Sequence, residues 1–393
     1  MDDLRIAAIG LGLRRNLAVA AHREPGRGSR VTAVCDLDET ILRKEADFFG
    51  ANAAETDYRR LLDRDDIDAV LVATPDHTHA RVAVDALSAG KAVYLEKPMA
   101  TTVADADAVL RAARRSGARL YVGHNMRHMG VVRLMRRLVR EGQIGTPKAV
   151  WIRHFVGHGG DFFFKDWHAE RSKVNSLLLQ KACHDLDAMH WIVGGSTEAV
   201  QAMGGLTVYG GLPRREAGAP KPEDWLSREQ WPPSSQRGLN PVIDVEDLAL
   251  LNLRLDNGVL AAYQQCHYTP DYWRSFTVIG DAGRLENFGD EPGGTIRLWN
   301  TGRRNYDPAG DAEFRIPGSV DGHGGADAKV IEEFVRFVRE GGATDTSPVD
   351  ARTAVAAGDL ATRSLRDGGA LLRVPVLEES LRAYFDNGQV EPT

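Results

Sequence analysis

Three groups of residues have the types and spacing to do chemistry. Glu96-Lys97-Pro98 closes the apolar run Ala92-Val93-Tyr94-Leu95. A strand ending there delivers a carboxylate and an ammonium to the carboxyl edge of a sheet, where open α/β sheets bind their ligands. A buried ammonium is costly unless it has a partner or a task. Lys97 therefore reads either as half of a strand-end ion pair or as a catalytic group. The second group lies in Leu177–Trp191, where Gln180, His184, Asp187 and Trp191 fall on one stripe of a helix. His184 suits proton transfer, because a histidine titrates near neutrality. It could equally be satisfied by Asp187. A zinc site from Cys183, His184 and Asp187 lacks a shared facing, so no metal is expected. The third group is Gly10-Leu11-Gly12, with Asp36 further on.

The elements that must position these groups alternate. Leu4–Ile9 reads as a buried strand, Gly10-Leu11-Gly12 as a tight turn, and the stretch to about His22 as a helix. In that context the glycines let backbone N–H groups approach a pyrophosphate at the helix N-terminus. The third glycine of the dinucleotide fingerprint is replaced by Arg15. Val31–Asp36 is a second strand ending in an acid, placed to accept from a ribose 2′-hydroxyl and to repel a 2′-phosphate, so NAD is favoured over NADP. Arg14 or Arg15 could rescue a phosphate if either points toward the adenosine ribose. Further strands at Ala69–Thr74, Ala92–Leu95 and Leu120–Asn125, separated by helices over about 39–49, 76–89 and 104–116, predict right-handed βαβ units and a parallel sheet. Thr74-Pro75 ends the first of these, with Asp76 or Thr78 as candidate helix caps and His79 as a contact of the cofactor loop.

Composition excludes other classes. The 393 residues suit two domains. No apolar run is long enough to span a bilayer. The opening Met1-Asp2-Asp3-Leu4-Arg5-Ile6 lacks signal-peptide character, so a cytoplasmic protein is expected. Cys35, Cys183 and Cys266 are too few and scattered for a disulfide framework. A formal net charge of −6 argues against a nucleic-acid binder.

The second half changes period. Gly145-Thr146-Pro147 breaks a helix, and Lys148–Phe155 alternates as a strand, so the boundary falls between residues 1–145 and 146–393. Gly157–Asp161 reads as a flexible active-site loop, because no P-loop Lys-Ser follows it. Trp167, beside Lys165 and His168, is suited to stack on a sugar face. From Val208 to Val242 the chain turns rich in Gly, Pro and charge around Trp225 and Trp231, reading as a disordered excursion or, favoured by the tryptophans, an arm crossing to another subunit. Asp256-Asn257-Gly258 predicts a hairpin between Asp247–Leu255 and Val259–Gln265. Phe276–Ile279 and Gly283–Glu286 extend that sheet. His323-Gly324-Gly325-Ala326-Asp327 opens a helix to about Arg339, and a last helix over Ala351–Leu365 is expected to pack on the first domain.

Taken together, Gly10-x-Gly12 with Asp36, Thr74-Pro75-x-x-x-His79, Glu96-Lys97-Pro98 and Asn125-x-Arg127 resemble the Gfo/Idh/MocA family of oxidoreductases, almost end to end. Glu96-Lys97-Pro98 is the most specific of these motifs. The resemblance implies an α/β fold: an N-terminal Rossmann dinucleotide-binding domain followed by an α+β domain with a large, mostly antiparallel open sheet. It implies NAD as cofactor, a sugar or polyol as substrate, and a homodimer or homotetramer formed through a sheet face. Lys97 becomes the catalytic lysine. The cofactor residues are Gly10, Leu11, Gly12, Arg15, Asp36, Thr74, Pro75, His79, Glu96, Lys97 and Asn125. The family pattern Asp-x-x-x-His matches at His184, but Gln180 stands at the aspartate. Proton transfer then rests on His184, with Lys97 assisting.

The leading reading is a sugar or polyol dehydrogenase. A second uses the same residues in a redox-neutral glycosidase, where oxidation at C3 permits elimination of the C1 substituent, water adds, and the trapped hydride is returned. His154, His158, Lys165, His168, Arg171, Lys173 and Lys181 would suit an anionic sugar such as a sulfoquinovoside. The expected substrate-binding set is Arg127, His154, Lys165, Trp167, His168, Arg171, Gln180, Lys181 and His184. A cofactor-bound sensor without turnover is the third reading, opposed by the presence of both Lys97 and His184.

Overall fold

The computed structural model describes residues 2–222, 226–227, 229–319 and 322–391, which form two compact units. One comprises residues 1–128, 321–355 and 376–393, the other 129–320 and 356–375.

The first unit begins with β1 (Leu4–Ile9), α1 (Arg15–Ala21), β2 (Ser29–Cys35), α2 (Glu39–Phe49), β3 (Ala53–Glu55), α3 (Arg59–Leu62), β4 (Ala69–Val72), α4 (Asp76–Ser88), β5 (Ala92–Leu95), α5 (Val103–Ser116) and β6 (Leu120–Val122). Its strands pair in parallel in the order β3-β2-β1-β4-β5-β6. This is the Rossmann order, and it reverses between β1 and β4. Every residue of β4 and β5 is buried, as expected of strands covered by helices on both faces. Neither Asp76 nor Thr78 caps α4: Pro75 holds the N-cap position, and Thr78 Oγ1 donates to the Pro75 carbonyl at 2.8 Å.

The second unit contains α6 (Gly130–Arg140), β7 (Pro147–Phe155), α7 (Gly159–Phe163), α8 (Arg171–Val174), α9 (Leu177–Gln180), α10 (Ala182–Val193), β8 (Thr197–Gly205), β9 (Leu248–Leu255), β10 (Leu260–Cys266), β11 (Trp273–Gly280), β12 (Arg284–Phe288), β13 (Thr295–Trp299) and β14 (Ala312–Arg315). With β15 (Leu372–Arg373), its strands form a nine-stranded sheet in the order β14-β13-β12-β11-β7-β10-β9-β8-β15. Only β7 and β10 run parallel. The period-two pattern is strict: Ala249, Leu251, Leu253 and Leu255 of β9 are buried, while Leu250 faces solvent. The outer face carries a groove of about 670 Å³ lined by Trp151, Arg153, Gln264, Arg284 and Tyr306.

The late chain returns to the first unit. α11 (Gly322–Glu340) sends Val330, Ile331, Phe334, Val335 and Phe337 into the core built by β1, β2, β4 and α1. α12 (Pro348–Arg366) starts in this unit, and α13 (Glu379–Asp386) belongs to it. Among the described residues, no helix is long and apolar enough to cross a membrane.

Three further expectations change. The single helix over Leu177–Trp191 is two pieces meeting at Lys181, whose N–H still donates to the Leu177 carbonyl at 2.9 Å, so the polar stripe keeps its register. The described residues of 208–242 are packed on their own unit and do not form a disordered excursion. Tyr209, Leu239 and the following Ile243 and Val245 join the core of Phe163, Phe164 and Leu177, and Arg215 donates to the Lys165 carbonyl at 2.8 Å. Trp225 lies outside the described residues. Finally, Gly157–Asp161 is not a flexible loop, since Gly159 to Asp161 are buried at the start of α7. A Cβ on Gly159 would lie 2.1 Å from the His267 carbonyl oxygen, and one on Gly160 would lie 2.6 Å from the Tyr209 hydroxyl. The glycines are there to let backbones touch. Gly159→Ala should therefore destabilise the protein by about 1–3 kcal/mol in denaturant titration, the usual cost of overpacking. An unchanged midpoint would restore the flexible loop.

Candidate active site

In the first unit the reversal of strand order brings the turn after β1 beside the end of β4. Gly10 has φ of +85°, and a Cβ there would meet the Ala73 carbonyl oxygen at 2.7 Å, so only glycine fits. Gly12 is open: a Cβ would find nothing within 4 Å. The backbone is thus exposed at the N-terminus of α1, as a pyrophosphate requires. Asp36 Oδ2 accepts from the Leu11 N–H at 2.9 Å, which fixes its carboxylate at the end of β2. These residues fit a dinucleotide, with Gly10, Leu11 and Gly12 at the phosphates and Asp36 at the adenosine ribose.

Both arginines that could have rescued a 2′-phosphate are already engaged. Arg15 Nε donates to Glu45 Oε2 at 2.6 Å, and its guanidinium lies 4.3 Å from the Phe48 ring centroid. Arg14 Nε donates to Glu96 Oε1 at 3.1 Å, and its two terminal nitrogens grip Asp327 at 3.1 and 2.9 Å.

Around β5 the burial is almost continuous: from Ala92 to Ala100, Lys97 alone is not buried. Glu96 Oε2 accepts from the Lys97 N–H at 2.9 Å, so the carboxylate pins the backbone of the half-buried lysine. His79 holds the neighbouring loops together, its Nδ1 2.7 Å from the Pro98 carbonyl and its Nε2 2.7 Å from the Thr74 carbonyl. That is a scaffold role, where a cofactor contact was expected. Burial lowers the imidazole's basicity, against the pull of the two carbonyls. Asp76 is a further buried carboxyl here, pushed up to about 8 by burial, with Lys97 opposing and Glu96 reinforcing. Asn125 is buried and donates to Asp327 at 2.8 Å. Arg127, expected to bind substrate, is 2% exposed and spent on the Asp345 carbonyl at 2.8 Å and Asp350 at 3.0 Å.

In the second unit His184, Gln180 and Asp187 are all buried. Next to His184, Asp185 anchors a buried network: His154 Nδ1 at 2.8 Å, Tyr263 OH at 3.0 Å and Arg274 Nε at 3.0 Å. Burial lowers the basicity of His154 to about 4, against the pull of Asp185, so it is neutral at pH 7. The expected cationic field is largely consumed. Lys165 is fully buried with its ammonium 2.6 Å from Asp161, and Arg171 is paired with Glu246 at 2.8 Å. Lys181 lies 5.9 Å from the Phe163 ring centroid, and His158 stacks on Tyr272. Trp167 has one indole face covered by His168, with ring centroids 3.7 Å apart. A pocket of about 360 Å³ opens instead between Tyr209, Trp231 and Tyr272, with Asp161, Gln230 and Gln236 among its polar lining. Sequence reading missed this wall, although Trp231 in a Gly/Pro-rich stretch was its signal.

His323, the partner of Asp327 at 3.0 Å, and the Arg274–Asp185 pair were also unforeseen. Among the described residues, His128, Glu333 and Asp345 alone bring three potential metal ligands together, and Glu333 already accepts from Tyr121 OH at 2.8 Å and the Asp345 N–H at 3.0 Å.

Two measurements test this electrostatic picture. Asp36→Ser should weaken NAD binding about tenfold, or ~1.4 kcal/mol. Adding Glu45→Ala should then give NADP binding that Asp36→Ser alone does not, because Arg15 is released; fluorescence titration reads both. His154 is held below its unfolded value of about 6.5, so its contribution is complete above that pH. It is lost as pH falls from 6.5 toward about 4, because the unfolded chain takes the proton first. His154→Gln should flatten the stability–pH slope in that window, whatever its cost at pH 7.

Comparison with known proteins follows the same division. Residues 4–124 match the oxidoreductase family's NAD-binding Rossmann fold, and residues 132–286 match the GFO/IDH/MocA C-terminal domain. Levoglucosan dehydrogenase of Pseudarthrobacter phenanthrenivorans is 27% identical over 387 residues, covering 89% of this chain and 93% of that protein. The 2,7-anhydro-N-acetylneuraminate hydratase of Mediterraneibacter gnavus is 30% identical over 187 residues, 47% of this chain and 48% of that protein. A solved levoglucosan dehydrogenase in complex with NADH and levoglucosan superposes with a TM-score of 0.76 at 22% identity, covering 95% of this chain and 100% of that one, a likeness of fold. With both halves matched, the chain belongs to the GFO/IDH/MocA family of oxidoreductases, and its first unit is an NAD-binding Rossmann domain.

Proposed function

We propose that this protein oxidises a secondary hydroxyl of a neutral sugar, polyol or glycoside, with Lys97 and His184 handling the proton. The observation that carries the reading is Lys97 itself: the one unburied residue in an otherwise buried strand end, its backbone pinned by Glu96, at the carboxyl edge of the Rossmann sheet. With its pyrophosphate at the Gly10–Gly12 turn, NAD would supply the hydride acceptor through its nicotinamide. The Lys97 ammonium donates to the carbinol oxygen and stabilises the charge that develops there, a role in which one donor is worth roughly 10²–10³ in rate. His184 accepts the hydroxyl proton. Gln180 orients by hydrogen bonding, since an amide carries no charge.

A neutral substrate is supported by the pairing of Lys165 and Arg171 with acids, and by the neutral state of His154. An anionic sugar would have to be held without them. The aromatic pocket at Tyr209, Trp231 and Tyr272 supplies stacking faces of the kind a sugar ring or an aglycone uses. The redox-neutral alternative draws support from the hydratase relative, whose name describes water addition to an anhydro sugar. Assembly as a homo-oligomer through the outer sheet face, with Trp151 and Tyr306 exposed on it, is part of this proposal.

Incubation with NAD and a panel of free sugars, polyols and aryl glycosides, neutral and anionic, separates the readings. NADH accumulating with a neutral substrate is the expected result; aglycone release with catalytic NAD and no net NADH would replace it by the redox-neutral reaction. Lys97→Ala should cut turnover at least 10²-fold while leaving the NAD dissociation constant within threefold. Undiminished turnover would remove Lys97 from the chemistry.

A further inference from the structure

The motif His323-Gly324-Gly325-Ala326-Asp327 has no part in the reaction proposed above, yet it is built with care. His323, Gly324 and Gly325 all take left-handed backbone, with φ of 52°, 69° and 78°. For His323 that conformation is uncommon. Its consequence is to set Asp327 at the head of the regular part of α11. There the carboxylate is 5% exposed and is contacted by four side chains: Arg14 through both terminal nitrogens, Asn16 at 2.7 Å, Asn125 at 2.8 Å and His323 at 3.0 Å. Burial would raise this carboxyl, but the contacts of His323 and Arg14 hold it far below the usual range.

Arg14 is the connecting piece. It follows the Gly10–Gly12 turn, lies between two nearly buried carboxylates, and bonds both: Asp327 through its fork and Glu96 through Nε. A lysine has one nitrogen and could not span them. Glu96 gives its remaining oxygen to the Lys97 N–H. A continuous hydrogen-bonded path therefore runs from Asp327 through Arg14 and Glu96 to the backbone of Lys97. We infer that Asp327 is a positioning residue: by orienting the Arg14 fork it fixes Glu96, and through Glu96 it holds the Lys97 strand end in register with the dinucleotide turn. The inference rests on the reading of Lys97 as the catalytic lysine. A purely structural Asp327 would support α11 and nothing at Lys97.

Asp327→Asn keeps size and one acceptor but turns an amide NH₂ toward the donors. It should lower kcat with NAD and the best sugar substrate by about 10–100-fold, the scale of a misplaced catalytic group, with the NAD dissociation constant within threefold. Arg14→Lys should match it, and the double variant should be no worse than the poorer single one. Hydrogen exchange at the Lys97 amide, resolved by fragmentation mass spectrometry without substrate, should speed up at least tenfold in each. In Arg14→Ala, millimolar guanidinium should restore part of the kcat and of the amide protection. Lys97 amide exchange at the wild-type rate in Asp327→Asn, or a kcat within twofold of wild type, would overturn the inference. A wild-type protein that oxidises no sugar or polyol would sink the functional reading instead, and amide exchange would still decide the relay. Should Asp327→Asn fail to fold, Arg14→Ala with and without guanidinium decides it by the same two readouts.

Discussion

A carboxylate cannot be taken out of water cheaply unless it is bonded on both oxygens, and Glu96 is 4% exposed. Its two oxygens are answered by the Arg14 side chain and the Lys97 N–H. That requirement organises the whole nucleotide-binding unit. Arg14 must sit directly after the glycine turn to reach Glu96, so the turn cannot drift relative to β5. Arg14 needs a second counter-charge, because its own burial is costly, and Asp327 provides it from the far end of the chain. α11 must then pack against α1, which its Val330, Phe334 and Val335 do. The fold's topology brings the ends of β1, β4 and β5 together; the ion pairs decide which atoms stay in reach once they are there.

The second unit solves the same problem with another set. Asp185 is fully buried and held far below the usual carboxylate range by Arg274 and His154, despite a burial that pulls the other way. Arg274 continues to Asp290 at 3.2 Å, and Tyr263 passes from Asp185 to Gln265 at 2.8 Å. Removing Arg274 or Asp185 would strand a buried charge, so the ion pairs hold these elements together. The network fixes the helix at Asp185, next to His184.

Much of this was legible in the sequence, and the reason divides cleanly. Strands such as Ala69–Val72 and Ala92–Leu95 announce themselves because a strand covered on both faces must be apolar throughout, and Asp256-Asn257-Gly258 announces its hairpin through local turn chemistry. β13 and β14 were not foreseen: Thr295–Trp299 and Ala312–Arg315 are short, and Ala312–Arg315 is the edge strand, with exposed polar positions at Glu313 and Arg315. Nor was any long-range polar pairing. Arg14 and Asp327 are 313 positions apart, and nothing in either neighbourhood says that one completes the other. Gly159 and Gly160 show the opposite failure, where a local rule was applied to residues whose reason is tertiary. Glycine read as freedom, but it is absence of a Cβ where the His267 carbonyl and the Tyr209 hydroxyl approach.

The departure at Gln180 gains its meaning from that accounting. An aspartate there would place a negative charge one helical turn from His184 and raise its basicity; glutamine leaves the histidine to its other surroundings. The second unit's cations are themselves engaged, for Lys165 and Arg171 are committed to Asp161 and Glu246, and His154 is uncharged. A unit that has neutralised its own interior has little field with which to attract a charged substrate. On the proposed reading it would select by hydrogen bonds and stacking, through groups such as Gln230, Gln236, Trp231 and Tyr272, which line the pocket. A site built to bond particular hydroxyls rejects analogues that lack them by several orders of magnitude, because its own polar atoms are left unpaired. On the proposed reading, proton handling by Lys97 and His184 would serve secondary alcohols in general, and the pattern of hydroxyls is what the second unit would discriminate.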